Sequence, residues 1–328
     1  MKKLAYIFPG QGVQKVGMGK ELFESSVKLR DFFNKSNKIL GFDLTNLMFY
    51  GPIEELSQTT NTQPAVFTVS MAYLMLLEEY GIHAEISAGH SLGEYSACAA
   101  AGIFSWEEGL DLVKKRAELM GNAYPSGYGK MAAVLGGDRN LIKEVCAGVK
   151  NIGIVEAVNY NAPGQVVISG ETKAVEYACE ELKKRGIKRV IFLNTSGPFH
   201  SSLMDKTAGE FLDYMENIKF SSPKIPIISN VTGKPMFEPN EIKKMLALQM
   251  KSPVLWDDSM RYILNAGITD FIEVGQGNVL QGLLKRIDPR AEVVCMDEKW
   301  KELMDETLNP KLEILNKSKT QNLKLETR

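Results

Sequence analysis

A chain of 328 residues, 44% hydrophobic and 24% charged, is long enough to bury a large core with a smaller second domain beside it. Its 39 basic and 40 acidic side chains leave a formal net charge of −1, so no global field draws it to nucleic acid or to a membrane. The four cysteines, Cys98, Cys146, Cys179 and Cys295, have neither metal-ligand nor redox spacing, and they predict reduced core thiols in a cytoplasmic protein; separately, no metal and no cofactor are expected.

Lys3 to Phe8 reads as a first buried strand, too short for a signal-peptide core and stopped by Pro9-Gly10. The loop Gly10-Gln11-Gly12 does not make a phosphate cradle. Lys15 stands where a dinucleotide loop has its third glycine, and Gln14 where a Walker A loop has its first. Two readings stay open: an ordinary tight turn, or a backbone N–H donor at the carboxyl end of a strand, where α/β sheets place their sites. Pro64 is expected to open a long helix that Gly81 closes. Its apolar stretch to Leu77, broken by Thr68 and Ser70, is too short to span a bilayer.

Next comes a short extended run, Ile86 to Ala88, then Gly89-His90-Ser91-Leu92-Gly93, then the small residues Ser96 to Ala101 of a closely packed helix ending at Gly102. This has the form of a nucleophile elbow, in which glycines permit a sharp turn that leaves a serine exposed. A serine hydroxyl is a weak nucleophile and needs a base. The chain has three histidines. His90 adjoins Ser91, and neighbouring side chains at a strand end point apart; His83 precedes the strand. Both read as surface or packing residues. His200 remains, in a loop before a helix, and it follows the serine in chain order as the base does in α/β-hydrolase sites.

Trp106 to Met120 reads as an amphipathic helix carrying Arg116. Its neighbours three and four positions away are Leu112, Val113, Leu119 and Met120, all apolar. A charge on an apolar stripe needs an anion, because a buried unpaired charge is costly. Either another segment supplies a partner, or a substrate carboxylate does, held in a bidentate fork.

After the loop cluster Tyr124 to Gly129 the pattern becomes strand (Lys130 to Leu135), helix (Asp138 to Ala147), strand (Ile152 to Asn159), strand (Gln165 to Ser169), helix (Thr172 to Arg185) and strand (Lys188 to Asn194). That is a β-α-β-β-α-β unit of ferredoxin-like type, lying between the elbow and His200. Beyond it follow a strand at Ile225 to Asn230, helices at Pro239 to Met250 and Val254 to Ala266, a strand at Asp270 to Val274 and a helix from Asn278. The chain is therefore read as α/β: a hydrolase-like parallel-sheet large domain, residues 1–127 and 197–300, with an inserted ferredoxin-like small domain at 128–196. Residues 301–328 form a tail that is expected to fray from about Asn316.

Several of these segments together resemble the malonyl-CoA:acyl carrier protein transacylase family of bacterial fatty acid synthesis. They are Phe8-Pro9-Gly10-Gln11-Gly12, Gly89-His90-Ser91-Leu92-Gly93-Glu94-Tyr95, Arg116, Asn159-Tyr160-Asn161-Ala162-Pro163-Gly164-Gln165, Phe199-His200 and Leu248-Gln249. The resemblance runs from about residue 3 to about residue 296, in order and spacing. It implies that Ser91 is acylated by malonyl-CoA and then attacked by the phosphopantetheine thiol of acyl carrier protein. It implies His200 as general base and acid, Gln11 and Leu92 as oxyanion N–H donors, and Arg116 as the holder of the malonyl carboxylate. Phe199, Asn159 and Asn161 fall in its substrate-binding segments. Gln249 is implied to orient His200 through its main-chain carbonyl, in place of a triad carboxylate. Such a dipole supports an imidazolium less strongly, which suits exchange between thioesters of similar energy if water is excluded.

Two departures stand out. Val13 replaces a small polar residue common in the family. Phe199 is the version seen in malonyl-selective domains of modular synthases, whereas stand-alone enzymes often carry a smaller residue, which leaves fatty acid and polyketide pathways both open. A serine hydrolase or thioesterase shares the elbow but lacks a visible triad acid here. A catalytically dead carrier-docking subunit would not need both Ser91 and His200. An acidic carrier protein needs a local basic surface on this near-neutral chain. Lys183, Lys184, Arg185, Lys188 and Arg189 offer one, and Lys285 with Arg286 another, unless each is simply a solvated helix end.

Overall fold

Leu4–Phe8 is apolar throughout and forms strand β1, with all five side chains buried. A strand buried on both faces needs paired neighbours and a cover of helices on either side. The structure, a computed structural model, describes residues 3–195 and 197–304. After β1 come α1 (Lys20–Ser25), α2 (Val27–Leu40), α3 (Leu44–Tyr50), α4 (Ile53–Leu56) and α5 (Thr59–Glu79). The first four are not among the predicted elements. Helix α5 starts at Thr59, so Pro64 lies inside it and not at its opening. An interior proline forfeits a backbone bond and crowds the preceding turn. The unbroken burial of Thr62 through Leu74 offsets that cost.

Then follow β2 (Ile86–Gly89), α6 (Gly93–Ala100) and α7 (Trp106–Gly121). Helix α7 opens on a capping box, in which the Ser105 side chain accepts from the Glu108 N–H and the Glu108 carboxylate accepts from the Ser105 N–H. The next six elements are β3 (Gly129–Leu135), α8 (Arg139–Gly148), β4 (Val155–Ala162), β5 (Gln165–Glu171), α9 (Thr172–Lys184) and β6 (Arg189–Phe192). Their strands pair antiparallel in the order β4-β5-β3-β6, the ferredoxin-like arrangement, around their own core that includes Val134, Ile142, Ile168 and Leu182. Strand β4 begins later than predicted, at Val155, because Ile152 lies exposed in the turn after α8 and the exposed Ile154 falls just outside the strand.

The chain then returns through α10 (Asp205–Met215), β7 (Ile227–Ile228), β8 (Pro235–Met236), α11 (Pro239–Gln249), α12 (Trp256–Asn265), β9 (Asp270–Glu273), α13 (Val279–Ile287), β10 (Glu292–Cys295) and α14 (Met296–Met304). The strand predicted from Ile225 shrinks to two residues, since Pro226 has no N–H for a ladder. The large sheet has the order β10-β9-β1-β2-β7-β8, parallel except for β8. Phe8, Phe33, Phe67 and Tyr95 belong to the core on one face, and Ile7, Trp256, Phe271 and Leu284 to that on the other. The protein is thus α/β, a hydrolase-like parallel-sheet domain with a ferredoxin-like domain inserted between α7 and α10. Residues 301–304, expected in the tail, are helical in α14, while the fraying expected from Asn316 falls outside the described residues. No described helix is long and apolar enough to cross a membrane.

Candidate active site

Strands β1 and β2 end side by side, with Phe8 opposite Gly89. The Gly10-Gln11-Gly12 loop and the elbow therefore leave the sheet together, at its carboxyl edge. The approach is close enough to demand glycine. A Cβ on Gly89 would lie 1.9 Å from the Gly93 carbonyl carbon, and one on Gly93 would lie 2.1 Å from the Phe8 oxygen. Ser91 takes a φ of 52° and His200 a φ of 64°, and they are the two non-glycine residues with positive φ among those described. Each such conformation costs about 1–3 kcal/mol and persists only where its surroundings enforce it.

Those two strained residues meet. Ser91 Oγ lies 2.7 Å from His200 Nε2, and His200 Nδ1 lies 2.8 Å from the Gln249 main-chain oxygen. A carbonyl only accepts, so Nδ1 carries the proton and Nε2 is left to accept from the serine. His200 is 4% exposed. Burial, with the Arg116 charge beside it, holds its pKa down to about 3, so the ring is neutral. His90 packs as expected: its Nε2 is 2.8 Å from Asn161 Oδ1 and its ring stands edge-on to Trp256. His83 is exposed.

Arg116 is 1% exposed on α7. Its partners in other segments are neutral. Nη1 donates to Gln63 Oε1 at 2.6 Å, while Nη2 donates to Gln249 Oε1 at 2.9 Å and to Ser91 Oγ at 3.3 Å. Nε has no partner. Among the described residues Arg116 makes no ion pair. The nearby acid Glu94, fully buried, is one amide removed: its carboxylate accepts from Gln249 Nε2 and from the Asn230 N–H. Burial pushes its pKa up to about 8.

Gln63 and Asn230 are absent from the sequence-based site. Placing the α5 start at Pro64 left Gln63 outside the helix, and Asn230 read as the end of a strand. A helix start five residues earlier would have put Gln63 on the same wall as Arg116.

These groups open into one cavity of about 450 Å³, whose lining includes Gln11, Ser91, Leu92, Arg116, Asn159, Asn161, Phe199 and His200. The backbone N–H groups of Gln11 and Leu92 donate to no described acceptor, and Asn159 Oδ1 is buried without a partner. Met120, Met131, Val167 and Leu193 add apolar wall. The described residues hold no cluster of three or more metal-ligating side chains. A nucleophile paired with a neutral base, a free N–H pair and a buried cation can together carry acyl transfer of an anionic acyl group.

A family model described as the acyl transferase domain matches residues 5–296. Malonyl CoA-acyl carrier protein transacylase of Bacillus subtilis is 43% identical over 299 residues, 91% of this chain and 94% of that protein. The crystal structure of malonyl-CoA:acyl carrier protein transacylase from Xanthomonas oryzae pv. oryzae superposes with a TM-score of 0.90 at 36% identity, covering 93% of this chain and 98% of that one. A malonyl-transacylase solved in complex with its type II polyketide acyl-carrier protein has a TM-score of 0.88 at 37% identity, covering 90% and 96%. By these matches the chain belongs to the acyl transferase family, among the malonyl CoA-acyl carrier protein transacylases.

Proposed function

We propose that this chain transfers the malonyl group from malonyl-CoA to the phosphopantetheine thiol of an acyl carrier protein through a malonyl-Ser91 intermediate. The observation that carries this reading is the hydrogen-bonded chain Ser91–His200–Gln249 opening into the same cavity as Arg116, a buried cation with no acid in contact. Ser91 Oγ attacks the thioester carbon and its proton passes to His200 Nε2. The oxyanion forms between the Gln11 and Leu92 N–H groups. Collapse expels the CoA thiolate, which takes the proton from His200. The carrier thiol then gives its proton to the same nitrogen and attacks the malonyl ester; the ester C–O bond breaks and Ser91 Oγ leaves with that proton, which restores the neutral imidazole.

Arg116 also couples the acyl group to the base. Its charge is one cause of the low His200 pKa. A malonyl carboxylate in the fork offsets that charge, so an imidazolium forms more readily beside malonyl than beside an uncharged acyl group. The same reading takes 1–127 with 197–300 as the catalytic domain and 128–196 as the inserted one. For the acidic carrier it favours Lys285 and Arg286, in the last turn of α13, because Val279, Leu280 and Leu283 of that helix line the cavity. In the other basic cluster Lys184 and Arg185 already pair with Glu181 and Glu144.

Incubation with radiolabelled malonyl-CoA tests the reading. Stable label on Ser91 that moves to added holo carrier protein supports it. Rapid release of free malonate would make the chain a hydrolase, and absence of label would make it a binding subunit.

A further inference from the structure

Three consecutive peptide units of the elbow are gripped by side chains from the far half of the chain. Asn230, just after β7, uses both ends of its carboxamide: Oδ1 accepts from the Ser91 N–H at 2.7 Å, and Nδ2 donates to the Gly89 oxygen at 2.6 Å. Gln249, at the end of α11, donates from Nε2 to the Ser91 oxygen at 2.7 Å. Glu94 holds the two together, since its Oε1 accepts from the Asn230 N–H at 3.2 Å and its Oε2 accepts from Gln249 Nε2. Asn230 is 1% exposed, and Gln249 and Glu94 are 0% exposed.

The grip has a directional consequence. A trans peptide is planar, so its C=O and N–H point opposite ways. The Ser91 oxygen and the Leu92 N–H belong to one such unit. Tying that oxygen to Gln249, on the protein side, turns the Leu92 N–H toward the cavity. The preceding units are tied at Gly89 and Ser91 by Asn230, which keeps Ser91 in its left-handed conformation.

We propose that Asn230 is a positioning residue for acyl transfer, its carboxamide clamping the elbow so that Ser91 Oγ faces His200 and the Leu92 N–H faces the developing oxyanion. Asn230 itself makes no hydrogen bond to Arg116 and does not line the cavity, so it acts on the reacting centre and leaves recognition of the acyl carboxylate alone. This inference rests on the acyl-transfer reading above.

Asn230→Ala removes both grips. Asn230→Asp keeps an oxygen for the Ser91 N–H and loses the donor to Gly89. Steady-state malonyl transfer to holo carrier protein is measured for both, beside thermal unfolding. For Asn230→Ala, kcat falls on the order of 100-fold, the scale of losing one oxyanion donor. KM for malonyl-CoA stays within about twofold, as expected for a group that acts on the transition state only. Asn230→Asp loses about tenfold in kcat, with KM again unchanged. A folded variant with kcat close to that of the wild type, or one in which KM rises while kcat holds, overturns the proposal. So does failure of both variants to fold, which would make Asn230 a residue of stability. The wild type in the same assay separates the two failures. If it does not form malonyl-Ser91, the acyl-transfer reading falls, and if the variants acylate as fast as it does, the clamp falls alone.

Discussion

Replacing Arg116 with alanine separates recognition of the acyl group from the chemistry of transfer. The guanidinium is 1% exposed and its bonded partners are Gln63, Gln249 and Ser91, none of them charged. A malonyl carboxylate in the cavity becomes its one directly paired anion. Truncating one partner of a buried, hydrogen-bonded charge pair costs about 2–5 kcal/mol, and about 1.36 kcal/mol is a factor of ten in rate. The kcat/KM for malonyl-CoA therefore falls roughly 30- to 5,000-fold. Acetyl-CoA brings no carboxylate, so its kcat/KM falls much less or rises. Nη2 also lies 3.3 Å from Ser91 Oγ, so part of any loss is common to both substrates and cancels in their ratio. Single-turnover acylation with labelled malonyl-CoA and acetyl-CoA reads that ratio directly. Arg116→Lys recovers only part of it, because an ammonium cannot form the fork. A malonyl-to-acetyl preference that survives in Arg116→Ala would refute the assignment and move recognition elsewhere in the cavity.

Ser91→Ala abolishes the acyl-enzyme and His200→Ala costs nearly as much, with the double variant little worse than either, since such residues act as a unit; additive losses in kcat would argue against a dyad. Because burial and Arg116 hold His200 at about 3, kcat/KM for malonyl-CoA stays level as the pH falls from 8 to about 5, where an ordinary imidazole at about 6.5 would be mostly protonated; an acid limb near 6.5 contradicts the geometry. For Glu94, which burial raises to about 8 in the folded chain from an ordinary 4.5, the folded state holds the proton more tightly, so its contribution to stability is complete below 4.5 and lost as the pH rises through 8. Glu94→Gln should flatten the alkaline fall in urea midpoint, and an unchanged slope would place that fall elsewhere. Reversing Lys285 and Arg286 to glutamate slows transfer to carrier protein through association rate, with weaker salt dependence, and leaves acylation at saturating malonyl-CoA nearly intact; equal loss in both half-reactions removes the docking assignment.

The elbow could be read from sequence because its constraint is steric and local: glycines flank a serine between a short apolar strand and a run of small residues. His200 emerged by elimination among three histidines, and the inserted domain from its complete alternation of strands and helices. Helices α3 and α4 did not, since seven and four residues are too few to display a period. Gln63 was hidden by Pro64, whose usual place at a helix start outweighed the burial that carries α5 through it. Asn230 gave no signal, and Glu94 appeared only as part of the elbow motif, with no role assigned. Their importance lies in which backbone atoms they reach, 141 residues from Asn230 to Gly89 and 136 from Glu94 to Asn230, and a local pattern does not encode such pairings. The positive φ of His200 was likewise invisible, because the backbone that holds the residue lies far along the chain: its N–H donates to the Met250 oxygen and its Nδ1 to the Gln249 oxygen.

The order of parts along the chain has a consequence for synthesis. Central strand β1 pairs with β9, Leu4 with Asp270, and the serine precedes its base, its clamp and the carbonyl behind that base. Contacts separated by so much chain form late, after the loop-closure entropy has been met. The inserted domain pairs its four strands among themselves, between Gly129 and Phe192, and adds one later bridge from Asn159 to Val254, so its own sheet can form as a unit before the C-terminal part of the large domain is available. On the proposed roles, Ser91 at that stage has no imidazole to deprotonate it and no fixed oxyanion donor. In the proposed mechanism, activity therefore waits until β9 has joined β1 and the segments carrying His200, Asn230 and Gln249 are in place. In that mechanism a chain stopped before β9 is inert toward thioesters and does not waste activated acyl groups.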